Sequence, residues 1–213
     1  MWPCSAVLAL HREKAFDTLG WPYLLAVLRA QGIGLEFLKW IDPWARVKTG
    51  RHVSRRFKIR RGTRQGCSLS PIIFALTMEP LAAMLCTKGP DWGIDIKYTW
   101  HAILLYADDV LIYLQDHEFS LPDLYVLLDR FGDMTGLRIN WGKSCLFPLK
   151  QVIPGSDIGT RQGRLPWALQ TFRYLGIQVY HTNRDLLDGN HGKTLTSVRH
   201  TMGFWQKLRS SPM

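Results

Sequence analysis

The sequence predicts an α+β fold in which helices gather on one face of an antiparallel sheet. The first observation is an apolar run at residues 5–10 that ends in charged residues, as a buried strand does where it reaches a sheet edge. The second is a pair of β-rich runs, 102–106 and 110–114, separated by only three residues, which is typical of a hairpin. The third is the order of the elements, because segments with helical periodicity lie between the strands and no repeat is present.

Individual residues indicate where the helices begin and end. Pro22 lies in a first turn, where proline is tolerated, and Ser70 and Ser120 are favourable N-caps. Pro80 falls within the longest apolar-periodic segment and should kink or interrupt that helix. Gly136 is placed to end the helix that follows Ser120. Helices are expected at about 21–31, 35–44, 71–86, 121–134 and 193–208, and strands at 5–10, 94–98, 102–106, 110–114, 137–147 and 172–179, with a loop at 150–168.

The charge of the chain is strongly unbalanced. Its 213 residues, enough for one domain with a sizeable core, include 27 Lys and Arg against 17 Asp and Glu, so the formal net charge is +10. Nine of the basic residues lie within 46–64, where Val53, Phe57 and Ile59 indicate strand-like segments. A surplus of this sign favours a polyanionic partner, either nucleic acid or an anionic membrane surface. From charge alone, a solvated basic surface without a partner is an equal alternative.

Cysteine spacing and hydropathy bear on the location of the protein. The four cysteines are far apart and form no Cys-x-x-Cys pair, which argues against a zinc site and for reduced thiols. No run of eighteen apolar residues is present, so we expect no membrane-spanning helix, and the N-terminus lacks the basic region of a secretory signal. We therefore expect an intracellular protein, cytoplasmic or nuclear. The sequence carries no signal for its oligomeric state.

Two adjacent carboxylates, Asp108 and Asp109, lie between the two strands of the expected hairpin. Like charges so close repel each other unless a cation neutralises them, and Mg²⁺ is a hard cation that prefers carboxylate oxygens. Pairs of such ions stabilise the attacking and leaving oxygens in phosphoryl transfer. A solvated β-turn is the alternative, because aspartate is common in turns. Other motifs of the chain decide between these interpretations.

Five segments, in order along the chain, resemble motifs of the reverse transcriptases of non-LTR (LINE-type) retrotransposons. Residues 13–17 match the EKAFD segment that follows the first catalytic aspartate of that family. Residues 61–71 resemble its glycine- and arginine-rich segment, and residues 105–109 resemble the YADD motif of its catalytic hairpin. Residues 136–144 resemble the stretch after that hairpin, and residues 172–177 resemble the primer grip.

The resemblance implies a polymerase palm that uses Mg²⁺, an RNA template, a DNA primer and deoxynucleotide triphosphates. Asp108 and Asp109 would bind the metal ions, and Lys143 would assist at the leaving pyrophosphate, with a solvent-facing lysine as the alternative. Phe16 would sense the sugar 2′ position, although a lone phenylalanine after a strand is also typical of a core. The remaining residues implied for nucleotide or template binding are Arg61, Arg64, Gln65, Gly66 and Tyr106, and those implied for the primer grip are Tyr174, Leu175 and Gly176.

The sequence departs from the family pattern at the first catalytic carboxylate. The family has aspartate five residues before the phenylalanine of the EKAFD segment, and His11 stands there. Imidazole suits Mg²⁺ poorly, because hard cations prefer carboxylate oxygens, so the metal site should be crippled. Glu13 and Asp17 are the neighbouring carboxylates, and we expect that neither replaces the lost ligand. A smaller departure is Ser68, where the family usually has proline.

Two hypotheses from different classes follow. The first is an RNA-directed DNA polymerase domain that needs magnesium, of which this chain is the catalytic core. The second is a non-catalytic remnant that binds nucleic acid through its basic surface. His11 is the residue that separates them. The resemblance also implies a palm at 1–180 and the start of a thumb or connection region at 181–213, with the fingers and most of the thumb missing.

Overall fold

The computed structural model describes residues 4–41, 43–64, 66–87, 92–150 and 165–209. The helices are α1 (Ala15–Thr18), α2 (Trp21–Ala30), α3 (Leu35–Trp40), α4 (Ser70–Thr87), α5 (His117–Thr135) and α6 (Asn183–Arg209). The strands are β1 (Ala6–Leu10), β2 (Trp44–Ala45), β3 (Lys48–Thr49), β4 (His52–Val53), β5 (Phe57–Lys58), β6 (Ile94–Ile96), β7 (Thr99–His101), β8 (Ile103–Tyr106), β9 (Asp109–Leu114), β10 (Cys145–Pro148), β11 (Thr171–Tyr174) and β12 (Ile177–Tyr180). The predicted mixture of helices and antiparallel strands is confirmed.

The centre of the fold is a four-stranded antiparallel sheet in the order β10-β1-β9-β8. β1 lies inside this sheet and all five of its residues are buried, which explains why its sequence is a continuous apolar run. Its register with β9 pairs Leu10 with Val110. β8 and β9 form the predicted hairpin, in which Tyr106 pairs with Asp109 and two residues make the turn.

Alternate residues of β1 pack into two different clusters, because neighbouring side chains of a strand point to opposite faces. Leu8 and Leu10 belong to the larger core, which the sheet forms with α2, α4 and α5 on one face. Val7 and Ala9 belong to a smaller cluster on the other face, where the β11–β12 hairpin contributes Phe172. The helices therefore cover one face of the sheet, as predicted, and a hairpin covers part of the other.

α4 continues through Pro80, so the predicted interruption of this helix is wrong, and the predicted kink stays a prediction. Proline lacks the N–H that would bond to the carbonyl four residues earlier, which belongs to Leu76. The side chain of Gln31, just after α2, donates a hydrogen bond to that carbonyl over 3.0 Å and replaces the missing partner. Ser70 was predicted to cap this helix, and it is instead the first helical residue. Its hydroxyl donates a hydrogen bond to the carbonyl of Arg64.

α5 begins before the predicted position because Asp116 caps it. The carboxylate of Asp116 accepts hydrogen bonds from the backbone N–H groups of Glu118 and Phe119. These bonds satisfy two of the donors that a helix start leaves free. Ser120 is therefore inside the helix and fully buried, and the prediction that it caps α5 is wrong. Gly136 ends the helix as predicted, with φ of 80°.

Two regions predicted as single strands are divided by turns. Within 137–147 only β10 forms as a strand, because a turn precedes it. The segment 172–179 forms the β11–β12 hairpin, because Leu175 and Gly176 have positive φ values of 48° and 82° and reverse the chain. Alternating apolar residues on both sides of this turn account for the prediction of one continuous strand.

Other boundaries differ from the predicted ones. α3 ends at Trp40, the strand expected at 94–98 ends at Ile96, and α6 begins at Asn183 instead of near 193. In the basic stretch, β2 pairs with β5 and β3 pairs with β4, so the expected strand-like segments are confirmed as short ladders. Residues 151–164 of the expected loop lie outside the described part of the chain.

By length and composition alone, α4 is apolar enough to cross a membrane. The core helix of a water-soluble domain passes the same test when one face is buried. Ile73, Phe74, Met78, Leu81 and Leu85 of α4 are all buried in the larger core. We therefore treat α4 as the central core helix of this fold.

Gly136 is a position where both backbone conformation and space require glycine. A Cβ atom at Gly136 would lie 2.7 Å from the carbonyl oxygen of Thr18. We predict that Gly136→Ala lowers the free energy of unfolding by about 2–5 kcal/mol, from left-handed backbone strain and overpacking together. Gly32→Ala is the matched control, because Gly32 has φ of 78° with open space around it, and should cost only about 1–2 kcal/mol. Urea unfolding followed by tryptophan fluorescence measures both, and equal losses would contradict the prediction.

Candidate active site

The end of β1 and the β8–β9 hairpin bring His11 and the aspartate pair together. Because Leu10 pairs with Val110 in antiparallel register, His11 follows on opposite Asp109. The His11 Nδ1 and Asp109 Oδ1 atoms are 3.5 Å apart, and both side chains are partly exposed. Asp108 lies in the hairpin turn beside Ala107, whose φ of 51° is unusual for alanine. The sequence prediction that the aspartate pair lies at a hairpin tip is confirmed, and the structure places this tip beside the end of β1.

The backbone of His11 is fixed by the turn that precedes β10. The N–H of His11 donates to the Ser144 hydroxyl over 3.0 Å, and the N–H of Asn140 donates to the His11 carbonyl over 2.8 Å. Lys143 belongs to the same turn, where its N–H donates to the side-chain oxygen of Asn140. Lys143 is therefore anchored near His11 with an exposed side chain, which is compatible with both interpretations made from the sequence.

A partly buried cation, Arg12, lies behind the aspartate pair, and nothing in the sequence indicated it directly. Its guanidinium sits 5.5 Å from the centre of the Phe74 ring, and Nη1 contacts the sulfur of Met78 on α4. Burial lowers the pKa of Arg12 to about 10, while Asp108 and Asp109 act in the opposite direction. Its Nη2 atom is buried and finds no hydrogen-bond partner among the described residues. The alternation of side chains along β1 could have predicted this placement. Its even-numbered residues face the larger core, and residue 12 continues that series.

The electrostatics of Asp109 show a carboxylate that is only partly compensated. Burial raises its pKa, the neighbouring Asp108 raises it further, and His11 and Arg12 lower it. Across the described ranges, no cluster of three or more His, Cys, Asp or Glu side chains is arranged to hold a metal ion. Whether Glu13 or Asp17 can replace the lost ligand stays a prediction. Two carboxylates beside an imidazole do not fit the pair of Mg²⁺ ions that the resemblance implies.

Phe16 lies on α1, which follows β1, and Tyr106 is the last residue of β8. Phe16, on α1, packs against Phe74 with ring centroids 4.6 Å apart and is half-buried at the edge of the core. This placement favours the interpretation of Phe16 as a packing residue, although part of its ring remains accessible. Tyr106 is exposed at the end of β8, directly opposite Asp109 in the hairpin register.

The proposed primer-grip residues form the tip of the β11–β12 hairpin. Leu175 and Gly176 make its turn, and Tyr174 is the last residue of β11. Burial raises the pKa of Tyr174, with smaller contributions from Asp109 and Tyr113. The Tyr174 hydroxyl has no hydrogen-bond partner in the described part of the chain.

The glycine- and arginine-rich segment, residues 61–71, contacts the region between α1 and α2 and the backbone of Trp44. Arg61 forms an isolated bridge with Gly20, and the Arg64 guanidinium donates to the Trp44 carbonyl. Gly66 has φ of 83° with open space where a side chain would lie. Gln65 lies outside the described residues, so its predicted role stays a prediction. A cleft of about 420 Å³ opens here, and it is lined by Trp44, Ala45, Arg46, Arg56 and Arg64.

Comparison with known proteins agrees with this geometry. The sequence matches the family model described as reverse transcriptase (RNA-dependent DNA polymerase) over residues 3–179. A Retrovirus-related Pol polyprotein from the type-1 retrotransposable element R2 of Popillia japonica is 30% identical, over 80% of this chain and 26% of that protein. The uncharacterized 149 kDa protein of transposon TX1 from Xenopus laevis is 28% identical, over 82% of this chain and 14% of that protein. The chain spans less than a third of the length of these relatives.

Solved structures with a similar fold are telomerases. Apo telomerase from Candida tropicalis matches with a TM-score of 0.54 at 13% identity, over 85% of this chain and 32% of that one. Telomerase from Candida albicans in complex with a fragment of telomeric RNA matches with a TM-score of 0.52 at 14% identity, over 84% of this chain and 29% of that one. At such low identity the likeness concerns the fold alone, which is consistent with a polymerase palm. The motifs, the hairpin geometry and the family match agree, and the chain belongs to the reverse transcriptase family, in the group of non-LTR retrotransposon proteins.

Proposed function

We propose that this chain is a reverse transcriptase palm that still binds nucleic acid but does not polymerise DNA. The observation that carries the proposal is His11, which stands 3.5 Å from Asp109 where the family's first catalytic carboxylate is expected. Reverse transcriptases use divalent metal ions, and two-metal phosphoryl transfer depends on carboxylates that hold both ions. An imidazole offers neither the negative charge nor the hard oxygen donor that Mg²⁺ prefers.

The surroundings of the aspartate pair support this proposal. Arg12 and His11 are the cationic or ionisable groups that lower the pKa of Asp109. An arginine held between β1 and α4 supplies positive charge permanently, because guanidinium stays protonated at neutral pH. The pair is thus partly neutralised by the protein itself, and the local field is less favourable for a divalent cation than a triad of carboxylates would be.

The basic stretch supports nucleic-acid binding as the function that remains. It folds as two short ladders whose strands are largely exposed, and Arg56 lies over the ring of Trp44 with 5.3 Å to the centroid. Exposed arginines beside an aromatic ring combine phosphate neutralisation with stacking, which is the chemistry of single-stranded nucleic-acid binding. The basic residues of the stretch are Arg46, Lys48, Arg51, Arg55, Arg56, Lys58, Arg60, Arg61 and Arg64.

Within this proposal, residues 1–180 form the palm and residues 181–213 begin a thumb or connection region that includes α6. The roles inferred for Lys143, for the Arg61–Gly66 segment and for the primer-grip hairpin are the family's roles carried over to these positions. The RNA template, DNA primer and deoxynucleotide triphosphates are the ligands of the ancestral activity. The four cysteines are free, in accord with an intracellular location in the cytoplasm or nucleus.

The first prediction concerns primer extension. When residues 3–179 replace the matched region of the Popillia japonica R2 polyprotein, we expect no labelled-nucleotide incorporation on an RNA template with Mg²⁺. His11→Asp in the same protein should raise incorporation at least about 100-fold, the upper end of what losing support for a metal ligand costs. His52→Asp, the same change on the exposed strand β4, is the matched control and should restore nothing. Robust incorporation by the His11 form would show that catalysis survives and that the proposal is wrong.

The second prediction concerns RNA binding by the basic stretch. Changing Arg51, Arg55 and Lys58 to glutamine should flatten the dependence of log affinity on log salt by about 0.7 per residue for a single-stranded RNA. Fluorescence anisotropy with a labelled 20-nucleotide RNA in 50–200 mM KCl measures this slope. The control changes three exposed basic residues outside the stretch, Arg29, Lys39 and Arg199, to glutamine. An affinity that does not weaken with salt, or an equal loss in the control, would favour a merely solvated basic surface.

The third prediction concerns stability and pH. Because burial and Asp108 raise the pKa of Asp109, the folded chain binds that proton more tightly than the unfolded chain does. Keeping the Asp109 carboxylate ionised in the folded chain therefore costs free energy. This cost is fully present at a pH above the pKa that Asp109 has in the folded chain. It disappears as the pH falls below the pKa of about 3.9 that an aspartate has in the unfolded chain. Asp109→Asn should therefore raise the free energy of unfolding at pH 7, with a smaller gain at pH 4, in urea titrations at both pH values.

The matched control for this prediction is Asp95→Asn, a change at an exposed position on β6, which should alter stability little at either pH. A loss of stability in Asp109→Asn at pH 7 would mean that the contact with His11 outweighs the cost of burying the carboxylate.

A further inference from the structure

One face of the β2–β5 ladder gathers an aromatic ring and several cations. Trp44 pairs with Lys58 across the ladder, and paired residues of an antiparallel ladder project from the same face. Side chains alternate along a strand, so Arg46, two residues after Trp44, and Arg56, two residues before Lys58, continue on that face. All four side chains are exposed. The alternation of the two strands therefore places one indole ring among three basic groups.

Three of these residues line the cleft of about 420 Å³, together with Ala45 and Arg64. Its volume lies within the range of roughly 300–1,000 Å³ that is usual for sites of small molecules. Arg64 is held at the cleft because its guanidinium donates to the Trp44 carbonyl. The described lining carries three guanidinium groups, which stay protonated at neutral pH, and no carboxylate. The cleft therefore favours an anion.

The ring of Trp44 gives the cleft a preference among anions. The Arg56 guanidinium lies over this ring with 5.3 Å to the centroid, and Trp44 remains 40% exposed. Unpaired bases stack on aromatic rings and on guanidinium planes, and every base offers a flat face for this contact. Carboxylates and inorganic phosphate have no such face. The combination of a stacking surface with arginines is therefore complementary to a nucleotide whose base is unpaired.

We propose that this cleft binds one unpaired nucleotide of a single-stranded nucleic acid. The base stacks on the pair formed by Trp44 and Arg56, and Arg46 and Arg64 supply positive charge for its phosphates. The inference rests on the proposed nucleic-acid function and adds to it a residue, Trp44, that distinguishes single strands from duplexes. The bases of a duplex are stacked on one another, so they cannot enter the cleft, whereas its phosphates can still contact the other basic residues of the stretch.

Single-stranded and duplex RNA of equal length test the proposal on the full chain. Fluorescence anisotropy should show a labelled 20-nucleotide single strand binding at least about fivefold more tightly than its duplex, which is the lower end of what one stacked base contributes. Nonspecific attraction to a chain of charge +10 would give the opposite order, because the duplex carries more phosphates. Equal or tighter binding of the duplex would overturn the proposal.

Variants of the ring locate the contact. Trp44→Leu should weaken single-strand binding at least about fivefold and change duplex binding by less than about twofold, whereas Trp44→Phe should keep most of the affinity because phenylalanine also stacks. Trp100→Leu is the matched control, because Trp100 is 41% exposed on the two-stranded β6–β7 ladder outside the basic stretch. Circular dichroism establishes that each variant is folded. A Trp44→Leu protein that binds single strands like the control would overturn the proposal.

Competition on the natural chain avoids dependence on folded variants. Adenosine 5′-monophosphate should displace the labelled single strand at a concentration at least about fivefold lower than ribose 5-phosphate, which has the same phosphate and no base. Equal displacement by both would show a phosphate site and overturn the inference, while a salt-dependent affinity for RNA would still support the proposed function. A chain that binds no RNA at all would contradict both.

An acidic polypeptide is the competing occupant of the cleft. A labelled 20-residue polyglutamate carries similar charge without bases, so it should bind more weakly than the single strand and should be insensitive to Trp44→Leu. Polyglutamate that binds as tightly as the single strand, and that is weakened equally by Trp44→Leu, would assign the cleft to an acidic polypeptide and overturn the inference.

Discussion

The antiparallel register of β1 against β9 pairs Leu10 with Val110, and the placement of His11 beside the aspartate pair depends on that pairing. Since β1 is buried on both faces, a slip of one residue would exchange the side chains of its two cores, so the register is strongly constrained. Because the register is fixed, the residue that follows β1 lies beside the turn of the β8–β9 hairpin. Position 11 then faces Asp109 whatever residue occupies it. The fold can therefore tolerate histidine at this position, although histidine changes the ligands that the site offers to a metal ion.

The consequence is a site in which the protein itself balances part of the charge of the aspartate pair. Arg12 projects from the same strand end to the opposite side, onto Phe74, and His11 projects toward Asp109. Both lower the pKa of Asp109, against burial and Asp108, which raise it. The buried Nη2 atom of Arg12, which has no partner among the described residues, is costly by itself, and the nearby negative charges offset part of that cost. Under the proposed function, the fold keeps its aspartate pair without bound metal ions.

Much of this arrangement could be predicted from the sequence because its determinants are local. Apolar runs on both sides of two aspartates predicted the hairpin, and the resemblance to the EKAFD segment implied that position 11 is the place of the first catalytic carboxylate. The errors arose where residues distant in sequence decide the outcome. Pro80 is tolerated because Gln31, which lies far from it in the sequence, satisfies the carbonyl that proline leaves free. The burial of the Arg12 guanidinium was not predicted, because the residues that cover it, Phe74 and Met78, lie on α4. A local sequence pattern does not reveal which helix covers a strand.

The most direct test of the account is divalent-metal binding by the chain itself. Electron paramagnetic resonance of Mn²⁺, titrated into the full 213-residue protein, reports the ions that remain free in solution. The account predicts that the natural chain takes up Mn²⁺ only weakly, and that His11→Asp tightens binding at least about tenfold, since it adds a carboxylate to the pair. His200→Asp, an exposed change on α6, controls for the altered net charge and should not tighten it. Binding to the natural chain as tight as binding to His11→Asp would contradict the claim that the site has lost its metals.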